Sequence, residues 1–278
     1  DTMGWKQFFT PVASMDAPQA KKFLTNQPAD SVTVLDVRQP AEYEAGHIAG
    51  AKLIPLPELQ GRMAELDNTK PTVVYCAIGG RSRIAAQMLA GGDFAEVYNL
   101  SGGFKAWQGN TAAGPEDQGL ALFSGRESAE EVLVTAYSLE QGLREFYLRM
   151  IPLAKNDPVK ELFQKLAAIE VTHQNRILEE YRRLTGTSVD VAVFEREVAG
   201  PAMEGGLSTE EYISRAGANL DQVTDVLSLA MAIEAQAMDL YQRAAATRTD
   251  PNGQRMLRQI AGEEQEHLKL LGDLFQQL

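Results

Sequence analysis

What this chain has little of sets its first limits. Among 278 residues there is one cysteine, Cys76, which excludes an intrachain disulfide and any site that needs four cysteines. A lone thiol is either a buried filler or a nucleophile, and it fits a reducing compartment. Histidine is scarce too, with three, so the placement of each is informative. No apolar run approaches the roughly 20 residues that cross a bilayer, and the first residues do not resemble a signal peptide. A cytoplasmic protein with no membrane partner is expected. Excess positive charge is also missing: the net charge is −12. Residues 1–115 hold 10 basic and 11 acidic side chains and residues 116–278 hold 16 and 27, so the acidic surplus belongs to the second half. Such a surface does not suit nucleic acid, whereas surplus carboxylates can serve as ligands for hard cations.

The length exceeds one ordinary core and suits two domains. Residues 31–37 and 72–76 are short β-branched apolar runs, as in buried parallel strands, and 96–100 is a weaker third. Helical stretches fall at 16–25, 40–45, 57–66 and 82–90. Residues 1–110 are therefore expected to form an α/β domain, a parallel sheet flanked by helices. The stretch from Gln108 to Gly125 is rich in Gly, Ala, Asp and Ser, and 111–126 is expected to be a linker. Residues 127–278 then carry four long amphipathic stretches, near 127–151, 157–185, 221–247 and 251–277. The connection from Thr185 to Leu220 is long, and its Ser208-Thr209-Glu210-Glu211 can cap a short extra helix. Two short connections and one long one are the topology of an all-α, ferritin-like four-helix bundle.

The second half repeats itself at an offset of 94 residues. Glu140 with Tyr147 matches Glu234 with Tyr241, and Glu170 with His173 matches Glu264 with His267. Residues three apart lie on one helix face, so a Glu-x-x-His pair can reach one ion, and a glutamate on a neighbouring helix can bridge or chelate. One such pair alone is ordinarily a solvated face. Here two of only three histidines fall into symmetry-related pairs, and Leu166-Ala167-Ala168-Ile169 places the first in an apolar frame. Buried carboxylates without cations would be strongly penalised. The expected metal ligands are therefore Glu140, Glu170, His173, Glu234, Glu264 and His267. Tyr147 and Tyr241, about two turns from Glu140 and Glu234, are expected to hydrogen-bond the ligand carboxylates.

Over residues 127–278 these features resemble the rubrerythrin branch of the ferritin-like superfamily. The resemblance implies two iron ions, with manganese or zinc able to occupy the same ligands in the purified protein. It also implies reduction of hydrogen peroxide or dioxygen with electrons from an external donor, and a homodimer. Two departures are visible. One cysteine cannot build the rubredoxin-like iron module that many members carry, and Ala237 stands where many have a further glutamate.

Cys76 follows an apolar strand and opens Cys76-Ala77-Ile78-Gly79-Gly80-Arg81-Ser82, after which a helix begins. A strand–loop–helix turn aims backbone N–H groups and a helix N-terminus at the sulfur, and both favour a thiolate, as does Arg81. Gly79 and Gly80 permit a tight curl. Around this loop stand Leu35-Asp36-Val37-Arg38, Glu42-Tyr43, Gly46-His47-Ile48-Ala49-Gly50-Ala51 and Gly102-Gly103-Phe104-Lys105-Ala106-Trp107. In this order, they resemble the single-domain rhodanese family over roughly residues 5–108. The resemblance implies that Cys76 takes sulfane sulfur from thiosulfate or a persulfide donor and passes it to a thiol or cyanide acceptor. Residues 77–82 (Ala77, Ile78, Gly79, Gly80, Arg81, Ser82) would bind the donor, while Asp36 and His47 would be structural. Four residues separate Cys76 from Arg81, one fewer than in tyrosine-phosphatase-like loops, and the smaller ring suits sulfur rather than phosphate. The chain is thus expected to be bifunctional, a sulfurtransferase with a di-iron oxidoreductase domain. A second reading makes the bundle an iron-binding or storage module and the rhodanese domain a sulfur carrier or docking module.

Overall fold

The computed structural model describes residues 11–28, 30–123, 125–187 and 219–276, and the chain divides into two units between Glu116 and Asp117. The segment 208–211, expected to cap a short helix, lies outside the described residues.

The first unit runs β1 (Ala13–Met15), α1 (Ala17–Thr25), β2 (Thr33–Asp36), α2 (Pro40–Glu44), β3 (His47–Ile48) and β4 (Lys52–Leu53). It continues through α3 (Leu59–Arg62), β5 (Thr72–Tyr75), α4 (Gly80–Ala90), β6 (Val97–Leu100), α5 (Gly103–Ala106) and β7 (Thr111–Ala112). Five strands form a parallel sheet in the order β1-β6-β5-β2-β4. β5 sits at its centre with all four residues buried, which is why Thr72-Val-Val-Tyr75 reads as an unbroken apolar run rather than an alternating one.

Successive side chains of these strands still divide between two faces. Leu35, Val74 and Cys76 join Ala85, Ala86 and Leu89 on one side, and Val34, Val73 and Tyr75 join Ala17, Ala20 and Tyr43 on the other. Full burial of a Val or Leu side chain contributes about 1.5–3 kcal/mol, so a one-residue slip of β5 would exchange both cores at once.

The structure departs from the sequence expectation in three places. The stretch 57–66 is not one helix: α3 is flanked by 3₁₀ turns at Leu56–Glu58 and Met63–Glu65, consistent with Pro57 near its start and Gly61 within it. Thr111–Ala112, inside the stretch expected to be a linker, pairs antiparallel with His47–Ile48. Strands β1, β3, β4 and β7 are two or three residues long, too short to leave a periodic pattern.

The second unit contains α6 (Ala129–Met150), α7 (Asp157–Thr185), α8 (Val223–Thr247) and α9 (Pro251–Phe275). Their starts are written locally. Ser128 and Glu131 form a reciprocal capping box on α6, and the Asn156 side chain accepts from Val159 N at 3.0 Å. Asp250 accepts from Gly253 N at 2.6 Å, and Pro158 and Pro251 sit in first turns where no N–H is needed. Gly186, at φ +66°, ends α7. α6 packs on α7 and α8 on α9, and contacts of α6 with α9 and of α7 with α8 close the bundle. Its core includes Leu143, Phe146, Phe163, Leu166, Leu227 and Ile233. Among the described residues no helix is long and apolar enough to cross a membrane.

Candidate functional sites

Cys76 lies just past β5, at the C-terminal edge of the parallel sheet, where open α/β sheets bind their ligands. The loop after it is held from behind. Phe104 N and Lys105 N, in α5, donate to the carbonyls of Cys76 and Ala77 at 2.7 and 3.0 Å. With those carbonyls occupied, the next N–H groups turn to the sulfur: Gly79 N donates to Cys76 Sγ at 3.1 Å, and the Ile78 and Ser82 amides also bear on it. Burial pushes the thiol up, but the Ser82 hydroxyl and these amides outweigh it and leave its pKa below the ordinary value.

Two glycines are required by this geometry. Gly79 has φ +97°, and a Cβ on Gly103 would stand 2.2 Å from the Cys76 carbonyl oxygen. Gly80 is the first residue of α4 and a Cβ there would meet nothing within 4 Å, so the curl depends on Gly79 and not on Gly80.

Arg81 is in the first turn of α4 and faces Cys76. It is also held in a two-pronged ion pair with Glu42 of α2, both contacts 2.7 Å. The hydrogen bond from Arg81 holds the Glu42 carboxyl at about 2. The sequence placed Glu42 in a motif without giving it a contact, and no local pattern marks a pairing 39 residues away. Ile78, by contrast, stands on the loop with its side chain exposed to 70 %.

Asp36 and His47 have structural settings. Asp36 takes the Arg38 guanidinium at 2.7–3.0 Å, and Arg38 also donates to Gly46 O at 2.7 Å. The His47 ring stacks on Tyr43, centroids 3.6 Å apart. Its Nδ1 lies 3.0 Å from the Tyr43 carbonyl oxygen, which can only accept, so Nδ1 carries the proton.

In the bundle the structure brings the six expected ligands together as two buried triads, Glu140 with Glu170 and His173, and Glu234 with Glu264 and His267. Within each triad a set of candidate ligand atoms lies within 4.8 Å of one another. His173 Nδ1 is 3.4 Å from Glu140 Oε2 and 3.0 Å from Glu170 Oε2. His267 Nδ1 is 3.7 Å from Glu234 Oε2 and 3.0 Å from Glu264 Oε2. Each triad is drawn from one helical hairpin, α6–α7 or α8–α9, which is the structural meaning of the 94-residue offset. The two imidazole rings lie face to face, centroids 3.2 Å apart, so the triads adjoin.

Burial pushes the Glu140 carboxyl up, yet its hydrogen bond to His173 and that ring's charge bring it below the ordinary value. The donor set fits a pair of cations. Glu234 Oε2 is buried and accepts no hydrogen bond, an arrangement that is costly unless a cation lies against it. Ala237, one turn along α8 from Glu234, is fully buried and offers no further carboxylate. Tyr147 and Tyr241 are buried on the same helices as Glu140 and Glu234. The Tyr147 ring packs with Phe146 and Phe163, and the Tyr241 ring against Phe123.

Comparison with known proteins gives the two halves their class. Residues 16–110 match the model for the rhodanese-like domain, and residues 131–275 match the rubrerythrin model. The chain belongs to the rubrerythrin family and carries a rhodanese-like domain ahead of its rubrerythrin domain. Similar curated proteins match the first domain. The uncharacterized protein YqhL of Bacillus subtilis is 48% identical over 80 residues, 29% of this chain and 64% of its own length. The thiosulfate sulfurtransferase GlpE of Ectopseudomonas mendocina is 36% identical over 93 residues, 32% of this chain and 85% of its own. GlpE of Coxiella burnetii (strain RSA 331 / Henzerling II) is 40% identical over 77 residues, 28% and 72% respectively.

Proposed function

We propose that this chain transfers sulfane sulfur through a Cys76 persulfide and that its bundle holds two iron ions which reduce hydrogen peroxide or dioxygen. For the first activity, the carrying observation is the Cys76 sulfur seated among the N–H groups of its loop, with the Gly79 amide at 3.1 Å. The resemblance to thiosulfate sulfurtransferases supports the same reading.

In this reading the Cys76 thiolate attacks the outer sulfur of thiosulfate. A new S–S bond forms, the old one breaks, and sulfite leaves with the electron pair. The Ile78, Gly79 and Ser82 amides, with Arg81, hold the anionic donor and then the terminal sulfur of the persulfide. An acceptor thiolate or cyanide attacks that terminal sulfur and releases the Cys76 thiolate. A persulfide donor enters by the same attack, with a thiolate as leaving group.

In the bundle, Glu140, Glu170 and His173 would hold one ion and Glu234, Glu264 and His267 the other; when bound, iron supplies the electron transfer of the reduction, fed by an external donor. The two triads keep that charge away from water, and Tyr147 and Tyr241 are assigned to support the ligand carboxylates. In this account the protein works in the cytoplasm as a homodimer and binds neither nucleic acid nor membrane. The lone cysteine and the net charge of −12 support that setting. Peroxide removal would also protect a persulfide that oxidant otherwise converts irreversibly.

The test has two arms. Sulfur transfer from thiosulfate to cyanide should be clear in the full chain and absent in Cys76→Ser; activity that survives this substitution would sink the first claim. The purified chain should bind about two irons and turn over peroxide, and Glu140→Ala with Glu234→Ala should lose both. Many irons per chain would replace catalysis with storage.

A further inference from the structure

We infer that Asn99 is a positioning residue for Cys76: its carboxamide oxygen and the sulfur compete for the one hydroxyl proton of Ser82, so Asn99 sets how readily the thiol ionises. This rests on the reading of Cys76 as the nucleophile. Ser82 is fully buried, and its Oγ lies 2.7 Å from Asn99 Oδ1 and 3.5 Å from Cys76 Sγ. A carboxamide oxygen only accepts, so at the shorter contact Ser82 is the donor. Its single proton is thereby engaged, and the side of the hydroxyl that meets the sulfur is a lone pair. That arrangement suits the neutral thiol, which donates its S–H to Ser82.

The thiolate needs the opposite. As a charged acceptor it draws the hydroxyl proton more strongly than a carboxamide does, and turning the hydroxyl takes a hydrogen bond from Asn99, a residue that is 2 % exposed. The amide is not free to follow, because Asn99 lies beside Ser14 in the β1–β6 register and its Nδ2 reaches Ser14 Oγ at 3.4 Å. Asn99 therefore opposes ionisation, while the Ile78 and Gly79 amides favour it. The charged group facing the sulfur is Arg81 from α4, matched by Glu42 from α2; neither changes when Asn99 is replaced. Asn99 stands among apolar neighbours in Val97-Tyr98-Asn99-Leu100, and a buried amide in such a strand is retained for a specific partner.

The experiment is a pH titration of thiolate ultraviolet absorbance in the full chain, each variant read as the difference from its own Cys76→Ser control. Because Cys76 is the one cysteine, the signal is unambiguous. Asn99→Leu, close in size and unable to accept, should lower the midpoint by about half a unit to one unit. Asn99→Ala should do the same and serves if the leucine variant fails to fold by near-ultraviolet circular dichroism. Ser82→Ala should raise the midpoint, and adding Asn99→Leu to it should then change nothing. A midpoint at or above wild type in the folded Asn99 variant would overturn the inference, as would a shift that persists without the Ser82 hydroxyl. The titration uses no sulfur donor, so a chain that fails to transfer sulfur but shows these shifts would refute the proposed activity and leave this inference standing.

Discussion

At the residue scale, the thiol site depends on a few positions whose side chains are small or already committed. Gly79 holds φ +97° beside the Gly102 backbone. Gly79→Ala should therefore cost about 1–2 kcal/mol and slow sulfur transfer, seen as a lower unfolding temperature with a loss of kcat. Gly80→Ala makes the opposite case. It sits at a helix start with room for a Cβ, and should leave stability unchanged or raise it by up to about 1 kcal/mol. Both glycines look alike in the sequence, because a φ angle leaves no trace in composition.

Glu42 gives a residue-scale prediction in pH. Its carboxyl falls from 4.5 to about 2 through Arg81, so the pair's contribution is present above about 4.5 and is lost as pH falls toward 2. The Glu42→Gln chain should have lower stability near neutrality and a flatter acid limb across that window in denaturant titrations at stepped pH. Equal acid limbs would show that the pair contributes nothing.

At the scale of elements, helices were far more legible than short strands. Each long helix carries about six to eight turns, and α6, α7 and α9 open on a side-chain cap, so the bounds of α7 match the expected 157–185. α6 opens on Ser128, whose side chain accepts from Glu131 N at 3.2 Å while Ser128 N donates to Glu131. Ser128→Ala should destabilise the bundle by about 1 kcal/mol, read from the chemical denaturation midpoint of its helical signal. Strand β7, two residues long, exists only because His47–Ile48 offers it a partner, and no local pattern could announce it. The helix expected at 57–66 is instead a short α-helical turn between two 3₁₀ turns: its apolar spacing is helical, while Gly61 lowers the helical propensity of its middle.

At the scale of the whole chain, the two triads of the bundle carry four buried carboxylates, Glu140, Glu170, Glu234 and Glu264. Together they are tolerated best with cations among them. Removing metal with a chelator should lower the unfolding temperature of the helical domain, and restoring free metal to 100 times its dissociation constant should return about 2.7 kcal/mol for each site filled. Calorimetry of the loaded, stripped and reloaded chain checks this, and an unfolding transition indifferent to metal would contradict the ligand assignment. Cys76→Ser should leave metal content unchanged, because none of the six ligands lies in the first unit.

The division of labour between sequence and tertiary structure follows from range. The sequence by itself determined the two architectures, the Glu-x-x-His pairs and the loop that opens on Cys76. All of these are written in spacings of a few residues, or in a repeat that needs no coordinates. Only the tertiary structure decided that the two triads stand with their imidazoles face to face, that Arg81 is shared with Glu42, and that Ser82 lies between Asn99 and the sulfur. Each of those depends on groups 17 to 94 residues apart, whose meeting is set by sheet order and helix packing and by nothing in their immediate neighbourhood.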